Sequence, residues 1–115
     1  ARRPDAARRL AGRFGCRWGV LEEFRGADVD VVVDATPVGM EPDTRSLLAP
    51  GDLEPGTTVF DLVYTPPETP LIRAAKEAGC ETIPGTEMFV HQAVEQFRLI
   101  TGIAVTPALV REMLA

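Results

Sequence analysis

Several polar side chains in this sequence sit where hydrogen-bonding or charge chemistry could be done. Gln92 lies in IPGTEMFVHQAVEQF, residues 83 to 97, one turn past Met88 on a helix pattern whose other side reads Phe89, Ala93, Phe97 and Ile100 at core spacing. A buried amide without a partner costs on the order of 1–3 kcal/mol, so Gln92 is expected to meet either a neighbouring loop or a polar ligand. Tyr64, the single tyrosine, follows an apolar strand pattern, where its hydroxyl can point into a crevice; a half-buried structural tyrosine fits the same position. In 34 to 40, DATPVGM, the Thr36 hydroxyl and loop N–H groups could meet a phosphate or a nicotinamide, with Gly39 allowing close approach. A tight turn between strand and helix explains the same letters, and residue type alone does not separate the two. Arg2 and Arg3 suit the 2′-phosphate of NADP if a strand of a dinucleotide fold precedes them. From position alone, a solvated charge pair at a helix start accounts for them better.

Other candidates carry less. His91, the single histidine, has no Ser, Cys or Asp at a telling spacing and shares a polar stripe with Glu95 and Arg98, so it reads as a surface residue. Asp43, Thr44 and Arg45 read as solvated loop. No pair of carboxylates predicts hydrolysis. Cys16 and Cys80 lack metal-ligand spacing and read as buried filler, with a lone disulfide allowed but not demanded. No catalytic residue and no metal ligand is assigned.

The elements that must position these groups follow from local signals. Pro4 and Asp5 open a helix over 5 to 14, with Leu10 and Phe14 expected inward and Gly15 closing it. Residues 16 to 20 suggest a short strand and 21 to 26 a brief helical or irregular connection. VDVVVDA, 29 to 35, predicts a strand buried on both faces of a parallel sheet. A short helix is expected at 46 to 52 and a second buried strand at 57 to 63, broken by Thr65-Pro66-Pro67. Thr69 caps a helix over 70 to 78 that ends at Gly79. A short strand at 81 to 83, the long helix from Pro84-Gly85, and a last helix opened by Thr106-Pro107 complete the pattern. Strands alternating with helices argue α/β with a parallel sheet. In such sheets ligands lie beyond the carboxyl ends of the strands, which brings loops 36–40, 63–66 and 84–86 to one edge.

The whole composition bounds this reading. The 115 residues suffice for one modest core, 45% are hydrophobic and 25% charged, and the net charge is −5. That balance argues against a nucleic-acid partner. The longest apolar run is too short to span a bilayer, and no signal peptide is visible, so a cytoplasmic setting is expected. The start at Ala1-Arg2-Arg3-Pro4, without methionine or a preceding strand, suggests a fragment of a longer polypeptide.

Taken together, DVVVDATPVGM (30 to 40), VFDLVYTPPETPL (59 to 71) and GTEMFVHQAVEQFRLITG (85 to 102) resemble the C-terminal, NADP-binding half of shikimate dehydrogenase. The last stretch is most similar to the bifunctional 3-dehydroquinate dehydratase/shikimate dehydrogenase form. The resemblance implies a partial Rossmann-like, three-layer αβα parallel sheet with additional C-terminal helices. Residues 1–84 would form part of the NADP-binding domain, without its first strands and glycine-rich loop, and residues 85–115 helices that complete the cleft. It implies NADP-dependent interconversion of 3-dehydroshikimate and shikimate in aromatic amino-acid biosynthesis, with the catalytic lysine and aspartate in an N-terminal substrate domain this chain lacks. The isolated chain is therefore expected to be inactive, and a homo-oligomer is allowed. By the resemblance Arg2, with Arg3 adding charge, meets the 2′-phosphate. Thr36, Leu62, Gly85 and Met88 lie along the cofactor, and Tyr64 and Gln92 reach the substrate. Asp34 and Pro37 stand where the family has asparagine and serine. The rival readings are an NAD-using quinate/shikimate dehydrogenase and a non-catalytic module that senses quinate or shikimate.

Overall fold

The structure is a computed structural model that describes residues 3–26 and 29–115. Arg2, one of the expected 2′-phosphate ligands, lies outside the described residues.

Three parallel strands, β1 (Val31–Asp34), β2 (Thr58–Asp61) and β3 (Glu81–Ile83), lie side by side in chain order. Their register pairs Val31 with Thr58, Asp34 with Asp61, and Phe60 with Ile83, so all three carboxyl ends finish at one edge. The connections are helical or irregular, as parallel neighbours require.

α1 (Pro4–Phe14) precedes the sheet and α2 (Pro70–Glu77) joins β2 to β3. α2 starts where the Thr69 hydroxyl accepts the Ile72 N–H and Pro70 takes the first helical position. It stops at Gly79, whose φ of +77° lets the chain reverse directly into β3. Leu71, Ile72, Ala74 and Ala75 are buried on the side of α2 that meets the sheet. Leu48, Leu53, Val59, Leu71 and Ala75 form the core, which Phe24, Val32 and Cys80 extend.

Among the described residues, only one face of the sheet is built over in this way. Because side chains alternate along a strand, Val59 and Asp61 point into the core and are fully buried, whereas Val31 and Val33 point away and are 56% and 55% exposed. Ile83 joins them on that open face at 40%. α3 (Gly85–Thr101) leaves the sheet edge and packs with α4 (Pro107–Leu114) instead. Arg111 reaches across to Glu87 with an Nη2–Oε2 distance of 2.6 Å, and this guanidinium holds the Glu87 carboxyl below its ordinary range. The pair is exposed and orients α4 more than it stabilises it. Thr106 caps α4 by accepting the Leu109 N–H.

The structure corrects several expectations. Residues 16–20 form no strand, and the 46–52 segment holds only a 3-10 turn at Pro50–Asp52. The first strand is buried on one face, not both: Val31 and Val33 are exposed, and among the described residues no element covers them. Leu10 and Phe14 are 59% and 70% exposed, and on α3 Phe97 and Ile100 are exposed as well, while Val90 is the buried apolar residue there. The cysteines divide: Cys16 is exposed and not buried filler, whereas Cys80 is half-buried against the core, with its thiol 3.3 Å from the Glu54 carbonyl. Among the described residues no helix is long and apolar enough to cross a membrane.

Candidate functional site

The carboxyl edge is built from two acids and the loops they hold. At the end of β1, Asp34 Oδ1 accepts the Thr36 N–H at 2.8 Å, and the Thr36 hydroxyl then accepts the Val38 N–H at 3.2 Å. These short-range bonds curl the chain into the 35–43 loop. Asp43 ends that loop in a paired contact with the Arg45 guanidinium, which with the Arg45 N–H holds the Asp43 carboxyl down to about 2.

At the end of β2, Asp61 Oδ1 accepts the Val63 N–H at 2.9 Å and Oδ2 accepts the Thr69 hydroxyl at 2.5 Å. Asp61 thereby ties the start of the 62–69 loop to its end, where Thr69 caps α2. The two loops also meet directly: the Glu41 N–H donates to the Thr65 carbonyl at 3.1 Å, and the Leu62 N–H continues the ladder to the Asp34 carbonyl at 3.0 Å.

The third segment closes down on the second. A Cβ on Gly85 would stand 2.6 Å from the Val63 carbonyl carbon and 2.7 Å from the Leu62 oxygen, so the start of α3 rests on the Leu62 and Val63 carbonyls at a distance only glycine allows. One turn on, the Phe89 ring stacks on Tyr64 with centroids 5.0 Å apart.

Two hollows result. Thr36, Pro37, Met40, Leu62, Tyr64 and Thr65 line a crevice of about 320 Å³ at the strand ends. A broader trough of about 720 Å³ runs along α3, walled by Ile83, Met88, His91 and Gln92 with Glu87 and Glu95 at its margin. The trough is the larger but lies open on the uncovered side of the sheet. The crevice lining mixes apolar side chains, Leu62 and Met40, with the Thr36 and Tyr64 hydroxyls, the mix of groups typical of small-molecule sites.

Of the residues singled out in the sequence, Thr36, Leu62 and Tyr64 share the crevice, Met88 and Gln92 share the trough, and Gly85 sits at the junction. Arg3 stands at the N-cap of α1, exposed, and lines neither hollow. Gln92 is corrected: its side of α3 is exposed, so no buried amide demands a partner there. Tyr64 is half-exposed, at 48%, and held by Phe89. His91 is exposed, as expected of a surface residue, yet it stands beside Gln92 in the trough. Asp61 and Met40 went unnoticed in the sequence. Asp61 did carry a signal, an acid inside the β-branched run TVFDLV eight residues before a helix-capping threonine. Among the described residues no cluster of His, Cys, Asp or Glu is arranged to hold a metal ion.

Known proteins resemble this chain in sequence and fold. The family model described as the shikimate 5′-dehydrogenase C-terminal domain matches residues 85–114. A shikimate dehydrogenase (NADP(+)) of Archaeoglobus fulgidus is 46% identical over 93 residues, which are 80% of this chain and 34% of that protein. The solved shikimate 5-dehydrogenase of Thermus thermophilus, in complex with NADP(H) and shikimate, superimposes with a TM-score of 0.84 at 35% identity over 96% of this chain and 42% of its own. A quinate dehydrogenase of Corynebacterium glutamicum in complex with NAD superimposes with a TM-score of 0.78 at 37% identity over 96% of this chain and 42% of its own. The chain thus spans well under half the length of the proteins it matches.

Proposed function

We propose that this chain, which matches the C-terminal part of shikimate dehydrogenases in sequence and fold, is the cofactor-side wall of an NADP-dependent enzyme that interconverts shikimate and 3-dehydroshikimate in the cytoplasm. Residues 1–84 serve as the partial cofactor-binding unit, and residues 85–115 close the cleft and brace a substrate domain supplied by the rest of the enzyme. The reading is supported above all by the crevice at the carboxyl edge, where Thr36, Leu62 and Tyr64 converge.

A flat, amide-bearing ring fits that crevice: Leu62 and Met40 offer apolar contacts, and the Thr36 and Tyr64 hydroxyls offer polar ones. In this reading Thr36, Leu62, Gly85 and Met88 flank the nicotinamide, and Arg2 and Arg3 neutralise the 2′-phosphate. NADP, when bound, supplies the acceptor for the hydride that leaves the ring alcohol. Tyr64 and Gln92 hydrogen-bond the substrate, and exposure of Gln92 suits a side chain that meets a ligand rather than its own fold. In this reading the proton released as the alcohol becomes a ketone goes to a base on the substrate domain supplied by the rest of the enzyme. Hydride transfer also needs both reactants held in near-attack geometry, and a single wall of a cleft cannot impose it.

The test uses the chain alone and the chain joined behind the N-terminal part of the Thermus thermophilus relative. Alone, it is expected to form no NADPH from shikimate. Joined, it is expected to turn over, with Gln92→Ala and Tyr64→Phe each lowering kcat/KM by roughly 10- to 100-fold, the worth of one lost hydrogen bond to the substrate. Turnover by the chain alone, or a joined protein indifferent to both substitutions, would refute the proposal. One observation favours a second reading, an NAD-using quinate dehydrogenase: the likeness to the Corynebacterium glutamicum enzyme at 37% identity. Arg2 and Arg3 favour NADP, and the ratio of kcat/KM for the two cofactors in the joined protein decides between them.

A further inference from the structure

Asp34 Oδ2 is a buried side-chain oxygen with no hydrogen-bond partner, and the residue as a whole is 4% exposed. Its register partner on β2 is Asp61, itself fully buried, so two carboxyl groups leave adjacent strands on the same face beneath α2. Adjacent strands lie only about 4.8 Å apart. Two buried charges of one sign at such spacing disfavour each other strongly.

The two acids are not equivalent. Both Asp61 oxygens act as acceptors, from the Val63 N–H and the Thr69 hydroxyl, as those of a carboxylate do. Asp34 accepts a single backbone N–H, that of Thr36, and its second oxygen is bare. Desolvation drives the Asp34 carboxyl above its ordinary range; the Thr36 contacts oppose this, and the Asp61 charge adds to it.

Among the described residues no cation relieves the pair. Asp61 is the charged group facing Asp34 from β2, and α2 contributes the neutral Thr69 hydroxyl at its cap. The charged side chains of α2 are exposed, with Arg73 and Lys76 turned to Glu68. In the crevice loop, Asp43 and Arg45 bind one another.

We propose that Asp34 carries the proton of a buried Asp34–Asp61 pair and makes the crevice loop pH-sensitive: protonated, it stays seated under the sheet edge beside Asp61; ionised, it is pushed away from Asp61 toward solvent and carries Thr36, whose N–H it then holds more tightly, and the 35–43 loop with it. Asp34 is thus a positioning residue, acting on the crevice through Thr36. The inference holds whichever small molecule the crevice takes.

The sign follows from linkage. A carboxyl whose folded-state pKa is raised contributes stability in full below the unfolded value, and loses it as pH rises through the folded value. The Asp34 contribution is therefore lost as the solution moves from acid toward neutrality.

The experiment follows the Asp34 side-chain carboxyl carbon and the Thr36 amide by NMR across that range in the full chain, beside melting curves of the wild type and Asp34→Asn. Asp34 is expected to titrate above the 3.8 ordinary for aspartate, with the Thr36 amide shifting at the same midpoint. Asp34→Asn keeps an oxygen for Thr36 and is expected to remove that part of the pH dependence of Tm. A midpoint at or below the ordinary value, a Thr36 amide that does not follow, or an asparagine variant with the wild-type pH slope would each overturn the proposal. If the variant does not fold, the wild-type titration decides alone.

Discussion

Asp61→Ala is expected to bring the chain to the verge of unfolding. The side chain is fully buried, and its loss leaves the Val63 N–H and the Thr69 hydroxyl without acceptors in a dry interior. Each unmet buried donor costs about 1–3 kcal/mol. Thr69 is also the cap of α2, which packs over the core face, and a loosened cap adds about 1 kcal/mol. Together these approach the roughly 5–15 kcal/mol that a whole domain has in reserve, and a sheet with an uncovered face belongs near the lower end of that range. Urea denaturation followed by circular dichroism measures the effect. The midpoint should fall steeply for alanine and less for Asp61→Asn, which keeps one acceptor oxygen. An alanine variant within about 1 kcal/mol of wild type, less than one typical hydrogen-bonding loss, would show that Asp61 does not tie the 62–69 loop to α2.

The second large effect belongs to Gly85→Ala. The added carbon would stand 2.6 Å from the Val63 carbonyl carbon, with backbone rather than a pliable side chain on the other side. Either α3 or the backbone at Leu62 and Val63 must move, and overpacking of this kind costs about 1–3 kcal/mol. The displacement strikes the junction between crevice and trough, so ligand binding should suffer more than stability. In the joined protein we expect the KM for NADP to rise at least about tenfold, equivalent to about 1.4 kcal/mol, with a modest drop in Tm. Gly12→Ala is the control, since its added carbon meets nothing within 4 Å and lies inside α1, where alanine is the better helix former. Equal effects of the two substitutions would contradict the close contact at Gly85.

Much of this architecture could be read from local chemistry. Thr69-Pro70 and Thr106-Pro107 declare helix starts through a hydroxyl cap and a proline whose missing N–H is not needed, and both helices begin there. The β-branched run at the first strand and the TVF of the second locate the parallel pair, and the order of elements then puts their loops on one edge.

What failed was any inference that needed to know the partner of a surface. Periodicity at Leu10, Phe14, Phe97 and Ile100 marks sides able to be buried, not sides with something to be buried against, and all four are exposed. The continuous VVV run suggests two covered faces, yet among the described residues only the α2 side is covered. Gln92 belongs with them: its place among apolar letters suggests burial, yet it is exposed. Asp61 was overlooked because its partners are Val63, close by, and Thr69, which only the folded loop brings back to it. The finer likeness of residues 85 to 102 to a bifunctional enzyme gains nothing from the comparisons, whose named relatives are shikimate and quinate dehydrogenases.

The central claim, that the loops after β1 and β2 make a ring-binding crevice with the start of α3 packed against it, is tested most directly by titrating NADP into the isotope-labelled chain and following its backbone amides. Thr36, Leu62, Tyr64 and Gly85 are expected to shift along a single binding curve, however weak. Shifts confined to α1 or to the far half of α3, with those four amides unmoved, would contradict it.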